Sequence, residues 1–440
     1  MADSPSVIRD ALRRGDFPIA VYGLGKIGLP VAVAFAAETG RVTGVDIDPD
    51  LVRTIASGSP PFTHEPGLEA ELSRVIEHED LTVTSDGRSA AAAAAIHIIV
   101  VPVPVSDEQT ADLTALKAAV DTIANGIAPG DIIILETTVP PGTCAELIEP
   151  RVIDQSGVPS SEIGVASCPE RTSSGQALAD IRGSYPRIVG GVTNEATDAA
   201  VGIYSAIVEN EIIPVSDART AEAVKLFEGA YRDVNIALAN ELAVMFQDEA
   251  FDVREAIDAA NTQPYCSIHD PGAGVGGHCI PYYPYFLLEA STNGGSLLTT
   301  AREVNDTMPR LVAERTIGAL ESHGIAPQDA RVGVLGYSYR PAIPEVAATP
   351  ARPLIEQLRA AGVSVQVVDP VLDDIEIDLP LTPLDSLIEN PPDAITLVTA
   401  HDEFLTVDWR TIDVPVIVDG RDALPENQAP TVVIGRGEYE

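Results

Sequence analysis

The chain has 440 residues, 45% of them hydrophobic, and is therefore long enough for two or three domains with separate cores. Its formal net charge of −39 and its isoelectric point near 4.3 argue against nucleic acid or an anionic membrane as partner. Its carboxylates are spread along the whole chain, whereas lysine occurs only at positions 26, 117 and 225. This balance is typical of a halophilic protein in a high-salt cytoplasm, where ions screen self-repulsion. It also makes each lysine a candidate for a specific role.

The sequence contains four cysteines: Cys144, Cys168, Cys266 and Cys279. They show neither CxxC spacing nor the His pattern of a zinc site, so we expect no metal and a reducing compartment. The N-terminus lacks the apolar core of a signal peptide. The longest apolar run, 90–105, contains His97 and two prolines and is too short to span a bilayer. We therefore expect a cytoplasmic protein with no membrane partner.

A glycine turn follows the first predicted strand, 18–22, and reads GLGKIG at 23–28. An apolar helical stretch and a second strand come next, and that strand ends on Asp46. This order is the dinucleotide-binding fingerprint, in which the glycines let a pyrophosphate approach the helix N-terminus and the acid binds a ribose. A carboxylate here favours NAD because it would repel the 2′-phosphate of NADP. The cofactor residues predicted from this pattern are Gly23, Gly25, Gly28 and Asp46.

The alternation of strands and helices continues to about residue 210. Strands are predicted at 96–103, 131–139, 164–170 and 187–192, with a helix at 114–125. Continuous apolar runs of this kind are typical of parallel strands that are buried on both faces. Thr137, Thr138 and Glu170 follow strand ends, where open α/β sheets bind ligands. Such residues equally serve to cap the next helix, so the position alone leaves both roles open.

A long helical pattern begins at Thr220, with apolar residues at three- and four-residue spacing. Lys225, Gly229 and Arg232 lie on one face of this helix. A basic pair on one helical face is usually a solvated surface. Because lysine is so rare in this chain, however, the pattern favours a function for Lys225.

Two more helices are predicted, at 253–261 and 301–322, so 211–322 is expected to be an all-helical middle domain or dimer spine. The α/β pattern then restarts, with strands at 331–339, 363–370, 394–404 and 414–424 and a helix at 348–362. This part lacks a GxGxxG turn, which favours a nucleotide bound by loops over a second dinucleotide. The predicted fold is α/β, with two Rossmann-like parallel-sheet domains, 1–210 and 323–440, joined by a central all-helical segment.

The stretch 271–286, PGAGVGGHCIPYYPYF, places four glycines directly before Cys279. Glycine allows a positive φ and a close approach of the backbone to a ligand. A lone cysteine most often packs as a small hydrophobe. The alternative is a nucleophilic thiol beside a nucleotide- or sugar-binding loop. The upstream dinucleotide fingerprint and Lys225 favour this second interpretation.

Seven motifs in one order, over nearly the whole chain, resemble the nucleotide-sugar 6-dehydrogenases, namely the UDP-glucose and UDP-N-acetylhexosamine dehydrogenases. They are GLGKIGLP (23–30), HEPGLEAEL (64–72), ETTVPPGT (136–143), SCPER (167–171), YRDVN (231–235), GVGGHC (274–279) and LGYSYRP (335–341). SCPER, YRDVN and GVGGHC are closest to the UDP-N-acetyl-D-mannosamine branch. The resemblance implies that two NAD in turn oxidise a primary alcohol at C6 of a UDP-N-acetylhexosamine to a carboxylate.

The resemblance also implies roles for individual residues. Cys279 attacks the aldehyde to form a thiohemiacetal, and water hydrolyses the thioester that follows. Lys225 and Thr138 match the catalytic lysine and a threonine close to cofactor and reacting carbon, while Glu170 matches a glutamate whose role stays open. The cofactor contacts gain Lys26, Ile27 and Thr138. The matched substrate positions are Arg171, Thr172, Lys225, Arg232, Gly276, Tyr339 and Arg340.

The chain departs from the family pattern at Gly229 and Tyr283, where most members have an asparagine and an aspartate that help to position the reacting water. The departures keep two alternatives open. One is the same reaction on UDP-glucose or UDP-N-acetylglucosamine, and the other is a catalytically impaired nucleotide-sugar binding protein. We further expect a homodimer or higher homo-oligomer through the central helices and a role in polysaccharide biosynthesis.

Overall fold

The computed structural model describes residues 4–62, 65–106, 108–172, 175–247, 249, 251–372, 377, 379–425 and 432–436. His64, which begins the HEPGLEAEL motif, lies outside the described residues. The chain divides into two compact units, one of Met1–Glu228 with Tyr285–Thr292 and one of Gly229–Pro284 with Asn293–Glu440. Within the described ranges, no helix has the length and apolar character needed to cross a membrane.

An eight-stranded sheet forms the centre of the first unit, in the spatial order β3-β2-β1-β4-β5-β6-β7-β8. The strands are β1 Ile19–Tyr22, β2 Val42–Val45, β3 Leu81–Thr84, β4 Ile96–Ile99, β5 Ile132–Leu135, β6 Gly164–Ser167, β7 Arg187–Gly191 and β8 Ile212–Pro214. β1, β4 and β5 are buried along their whole length because their apolar side chains are covered on both faces. The strand order reverses between β1 and β4, which is where sheets of this type bind ligands.

Nine α-helices before α10 accompany this sheet among the residues that the structure describes. They are α1 Pro5–Arg13, α2 Gly28–Thr39, α3 Pro49–Ala56, α4 Leu68–Glu77, α5 Gly87–Ala93, α6 Thr114–Ala124, α7 Glu149–Ser156, α8 Ala177–Ala179 and α9 Asn194–Tyr204. α2 starts on the last glycine of the turn and buries almost every side chain from Leu29 to Phe35. That burial holds the N-terminus of α2 beside the end of β1.

Two of the three boundaries between the units fall inside helices, α10 Ala218–Met245 and α12 Tyr283–Ala290, and the third follows Thr292. The second unit also contains α11 Val253–Ala260, α13 Ser296–Ser322, α14 Ala351–Ala360, α15 Leu384–Glu389 and α16 Asp402–Leu405. Its five-stranded sheet has the order β10-β9-β11-β12-β13, with every pair parallel. The strands are β9 Arg331–Leu335, β10 Ser364–Val368, β11 Ala394–Leu397, β12 Val416–Asp419 and β13 Val432–Val433. The predicted class, two parallel-sheet domains with a central helical segment, is confirmed.

The structure corrects two details of the prediction. β7 pairs antiparallel with β6, whereas parallel strands were expected throughout. A parallel return usually uses a crossover α-helix, and in the described part of the connection 168–186 the helical segments are α8, with three residues, and a five-residue π-helix, Asp180–Ser184. β8 lies inside the segment 211–322 that was expected to be all helical, because Ile212 and Ile213 extend the sheet edge beside β7.

Candidate active site

The glycine turn after β1 is tight on its inner side and open on its outer side. Gly23 has φ +93°, and a Cβ atom there would lie 2.7 Å from the carbonyl oxygen of Val100. A Cβ atom on Gly28 would lie 1.9 Å from the carbonyl oxygen of Gly23, so neither position accepts a side chain. A Cβ atom on Gly25 would meet no atom within 4 Å. The turn therefore leaves room for a pyrophosphate at the N-terminus of α2.

Asp46, just beyond β2, lies beside this turn. Its Oδ2 accepts a hydrogen bond from the backbone N–H of Leu24 at 2.8 Å, and its Oδ1 accepts one from that of Asp48 at 3.0 Å. Each carboxylate oxygen keeps further acceptor capacity, which suits a pair of ribose hydroxyls. Lys26 is exposed and Ile27 half-buried on the same turn. The glycine turn, with Lys26 and Ile27, thus lies beside Asp46, and its open side and free acceptor capacity suit a dinucleotide. Thr138, also predicted as a cofactor contact, lies on the loop after β5.

A buried carboxylate joins the loop after β5 to helix α10. Glu222 Oε2 accepts a hydrogen bond from Gly142 N–H at 2.5 Å, and its Oε1 accepts one from Cys144 N–H at 2.8 Å. Burial raises the pKa of Glu222, while these hydrogen bonds act to lower it. Thr138 lies half-buried earlier on this loop, and the half-buried Lys225 lies three residues beyond Glu222 on α10. The carboxylate therefore fixes the segment that carries Thr138 to the helix that carries Lys225.

A second buried carboxylate supports the end of β5. Glu136 is fully buried, and it accepts hydrogen bonds from the Tyr204 hydroxyl at 2.5 Å and from Arg187 Nη2 at 3.4 Å. Burial raises the pKa of Glu136, and the Arg187 guanidinium opposes that shift. Removing one partner of such a pair leaves an uncompensated buried charge. The Glu136–Arg187 pair therefore holds the end of β5 in place, directly before Thr137.

The segment after β6 carries three of the predicted site residues. The N–H of Glu170 donates to the carbonyl oxygen of Glu136 at 3.0 Å, and a carboxylate oxygen of Glu170 accepts from the N–H of Thr172. Arg171 pairs with Glu228 of α10 at 2.6 Å. Arg171 Nε and Thr172 Oγ1 are buried and have no hydrogen-bond partner among the described residues. Both atoms are donors, and each needs an acceptor that the described residues do not supply.

In the second unit, the glycine loop 271–279 is held at its start by buried polar side chains. Asn240 Oδ1 accepts from the N–H of Gly272 at 2.8 Å, and Asn240 Nδ2 donates to Asn305 Oδ1 at 2.9 Å. Arg254 Nη2 donates to the carbonyl oxygen of Pro271 at 2.6 Å. The loop is therefore tied to α10, α11 and α13 before it reaches Cys279.

The same loop packs against the segment after β9. A Cβ atom on Gly276 would lie 2.5 Å from Tyr339 Cβ, and the N–H of Gly277 donates to the carbonyl oxygen of Ala347 at 2.8 Å. The Tyr339 hydroxyl donates to Glu345 Oε2 at 2.9 Å. Two predicted substrate residues, Gly276 and Tyr339, are thus in contact, and Arg340 follows them on the surface. Arg232, also predicted, is exposed on α10.

Cys279 is half-buried at the end of the loop, and the Tyr283 hydroxyl donates a hydrogen bond to its Sγ at 3.1 Å. Cys144 and Cys168 are fully buried. Burial raises the pKa of both thiols, that of Cys168 to about 12. Cys266 is half-buried and lies 3.5 Å from Asn261 Oδ1. Cys144 and Cys168 are therefore structural thiols, whereas Cys279 and Cys266 have the partial exposure that a reactive thiol requires.

The second sheet has its own strand-end acid, but its surroundings differ from those of Asp46. Asp369 is buried, and its Oδ2 accepts from the N–H groups of Tyr337 and Ser338 at 2.8 and 2.7 Å and from the Ser338 hydroxyl at 2.9 Å. Burial alone would raise the pKa of Asp369, but the hydrogen bonds from His401 and Ser338 outweigh burial and lower it. The protein itself thus occupies the acceptor sites that Asp46 keeps for a ribose.

Sequence reasoning missed the residues that position these groups. Glu222, Asn240 and Arg254 all act on segments that are distant in the chain. One signal was available for Glu222: this carboxylate lies on α10 next to Ala221 and one turn before Leu226, and both of these apolar residues are buried. A buried acid in that setting needs donors. The sequence does not say which donors it finds.

Three family models match consecutive parts of the chain. The NAD binding domain of the UDP-glucose/GDP-mannose dehydrogenase family matches residues 17–208, its central domain 219–307 and its UDP binding domain 333–426. The chain belongs to this family. As a family member it is an oxidoreductase that uses NAD, and the predicted enzyme class and cofactor are confirmed.

Known relatives are similar over almost their whole length. The UDP-N-acetyl-D-mannosamine dehydrogenase of Pyrococcus horikoshii is 36% identical over 429 residues, which cover 96% of this chain and 99% of that protein. The solved structure of UDP-D-ManNAc dehydrogenase from P. horikoshii has a TM-score of 0.89 and 35% identity, and the match covers 96% of this chain and 100% of that one. A UDP-glucose dehydrogenase from Pyrobaculum islandicum has a TM-score of 0.85 at 26% identity, covering 95% and 97%.

Proposed function

We propose that this dehydrogenase oxidises UDP-N-acetyl-D-mannosamine at C6 to the uronic acid, with Cys279 as the nucleophile. The observation that carries the proposal is the half-buried Cys279 thiol, which lies at the end of an anchored glycine loop and accepts a hydrogen bond from Tyr283. The choice of sugar rests on relatives such as the P. horikoshii enzyme, which carry that substrate in their names.

Each proposed catalytic residue meets one requirement of the reaction. NAD, when bound, accepts a hydride in each of the two oxidation stages. Cys279 Sγ adds to the carbonyl carbon of the aldehyde and holds it until water releases the acid. The Lys225 ammonium stabilises negative charge on the substrate oxygen, and Thr138 orients that oxygen. Glu170 supplies an acceptor for the proton of a water or hydroxyl group.

The proposed substrate contacts come from both units, and each set is described within its own unit. In the first unit, the Arg171 guanidinium and the Thr172 hydroxyl are assigned as donors to substrate oxygens. In the second, Arg340 and Arg232 offer guanidinium groups for the pyrophosphate, because the planar fork of arginine matches phosphate oxygens. Gly276 and Tyr339 shape the wall between the cysteine loop and the segment after β9. A sugar diphosphate needs cations for its phosphates and a backbone that can approach the ligand closely.

We infer three functional parts, with 1–210 binding NAD, 211–322 carrying the central helices and 323–440 binding UDP. Tyr231, Leu238 and Met245 follow each other at seven-residue spacing on α10 and are 59%, 45% and 63% exposed. An apolar stripe of this kind on a helix fits a homodimer through α10. Analytical ultracentrifugation should find a dimer for the native chain and a monomer for Leu238→Glu. A dimer that persists in that variant would place the interface elsewhere.

The proposed setting is a salt-rich cytoplasm in which the product supplies polysaccharide biosynthesis. The net charge of −39 supports a salt-rich environment, because dissolved ions screen the repulsion between carboxylates. The functional assay should therefore be run at molar salt.

The assay incubates the protein with NAD and, in turn, UDP-N-acetylmannosamine, UDP-N-acetylglucosamine and UDP-glucose. We expect two NADH and one uronic acid per sugar, with the highest kcat/KM for UDP-N-acetylmannosamine. A higher kcat/KM for another sugar would overturn the proposed substrate but would still support the oxidation at C6. Binding of all three sugars without NADH would overturn the reaction itself.

A further inference from the structure

Two departures from the family pattern, Gly229 and Tyr283, touch each other in the second unit. A Cβ atom on Gly229 would lie 2.7 Å from Tyr283 Cδ2 and 3.2 Å from Tyr283 Cβ. The tyrosine ring therefore fills the space that a side chain at position 229 would need. The family resemblance implies an asparagine and an aspartate at these positions in most members, and this chain has one ring packed on one glycine instead. The ring and the glycine are complementary in shape.

The ring packed on Gly229 brings the Tyr283 hydroxyl to the sulfur of Cys279. The N–H of Tyr283 donates to the carbonyl oxygen of Cys279 at 2.9 Å, so the two residues span one helical turn. Side chains four residues apart on such a turn lie on the same face. The hydroxyl donates to Cys279 Sγ at 3.1 Å, and Tyr283 is only 7% exposed. The bond is thus short and largely shielded from water.

A phenol that donates to sulfur favours the thiolate over the thiol. A thiol sulfur is a weak acceptor, whereas a hydrogen bond to an ionised acceptor is about twice as strong as a neutral one. A carboxylate at position 283 would act in the opposite direction, because it would repel the negative charge on sulfur. The exchange therefore replaces an anion near the nucleophile by a neutral donor.

We propose that Tyr283 stabilises the Cys279 thiolate, both as the attacking group and as the leaving group, and that Gly229 makes room for it. This inference rests on the proposed function, in which Cys279 is the nucleophile. In the last step the oxygen of water bonds to the thioester carbon, the carbon–sulfur bond breaks with its electron pair going to sulfur, and the water's protons pass to solvent. Tyr283 keeps its own proton and donates to the sulfur as charge returns to it.

The test measures the reactivity of the thiol itself, without sugar or NAD. The protein carries Cys266→Ser, so that of the four cysteines only Cys279 is accessible, since Cys144 and Cys168 are fully buried. Alkylation by iodoacetamide is followed over pH with and without Tyr283→Phe, which keeps the ring on Gly229 and removes the hydroxyl. Tyr282→Phe is the matched control, because it removes the same group from the neighbouring residue.

Loss of a hydrogen bond to a charged group should move the half-maximum of the alkylation profile by about one to two units to higher pH. Below that pH, alkylation of Tyr283→Phe should be about three- to tenfold slower, because a smaller fraction of the thiol is ionised. The loss of rate is smaller than the loss of thiolate, since a more basic thiolate is a better nucleophile. Tyr282→Phe should match the parent protein. An unchanged profile for Tyr283→Phe, or one moved to lower pH, would overturn the proposal.

A second experiment tests the exchange as a unit, by NADH formation and thermal unfolding of Gly229→Asn, Tyr283→Asp and the double variant. Gly229→Asn alone should lose more than tenfold in kcat, because its side chain collides with the ring. The double variant should recover at least tenfold over the product of the two single effects. Additive losses would show that the residues do not act together. Neither experiment depends on which sugar is oxidised, so a wrong substrate and a wrong role for Tyr283 remain distinguishable.

Discussion

The carboxylate of Glu222 allows the sharpest test of how the first unit positions Lys225 and Thr138. Glu222→Gln keeps the shape of the side chain but replaces one acceptor oxygen by an amide NH2 group, which can only donate. Either the N–H of Gly142 or that of Cys144 then loses its acceptor, and both are buried around Glu222. Because the variant is nearly isosteric, any loss reports on the hydrogen bonds rather than on packing.

The size of the effect follows from those two bonds. Loss of a hydrogen bond to a charged acceptor, which leaves a buried N–H unsatisfied, costs about 2 to 4 kcal/mol. For a unit of this size about 1 kcal/mol corresponds to roughly 2 to 4 °C, so the unfolding midpoint should fall by roughly 4 to 16 °C. The loop that carries Thr138 is then released from α10. We therefore expect kcat to fall by more than tenfold with a smaller change in KM for NAD.

Differential scanning calorimetry and steady-state NADH formation measure the two effects. Glu241→Gln is the matched control, since Glu241 is an exposed carboxylate on the same helix. It should change the midpoint by less than about 1 °C, because surface substitutions have small effects. If Glu222→Gln behaves like this control in both assays, Glu222 does not hold the loop in the way described.

Two further predictions concern the strand-end acids. Asp46→Asn should raise KM for NAD by about tenfold, since a charge-assisted hydrogen bond to the ribose is lost, and should reduce the preference for NAD over NADP. Steady-state kinetics with both cofactors measure these effects. An unchanged ratio of the kcat/KM values for NAD and NADP would contradict the prediction. Asp369 has a lowered pKa in the folded protein, so its stabilising effect is complete above about pH 4, the ordinary value, and is lost as the pH falls through the lower folded value. Asp369→Asn should therefore lower the unfolding midpoint at pH 7, and the difference from the native protein should narrow below about pH 4; a constant difference down to pH 3 would refute the assignment.

The dinucleotide cradle of the first unit could be predicted because all of its requirements are local. The glycine turn, the apolar helix after it and the acid at the end of the next strand lie within 46 residues, and each has a sequence signal. The edge strands β8 and β13 could not be predicted, because their few residues gain stability from neighbouring strands rather than from their own pattern. The antiparallel β7 was missed for a related reason, since its direction depends on a connection without a regular pattern.

The site residues divide in the same way. Cys279 and Lys225 stand out in the sequence through their composition and through family motifs. Gly229 and Tyr283 stand out only as departures, and their meaning depends on a contact between two helices. Glu222 gives almost no signal because its donors are backbone groups on a distant loop. Sequence patterns thus indicate candidate chemical groups better than they indicate what holds those groups in place.

The most direct test of the central claim compares Cys279→Ser with Cys266→Ser in the oxidation of UDP-N-acetylmannosamine by NAD at molar salt. The structure gives both cysteines similar exposure, so the pair separates the nucleophile from a general effect of losing a thiol. The account predicts two NADH and one uronic acid per sugar for Cys266→Ser, and no uronic acid for Cys279→Ser. Uronic acid formed by Cys279→Ser at the native rate would contradict it.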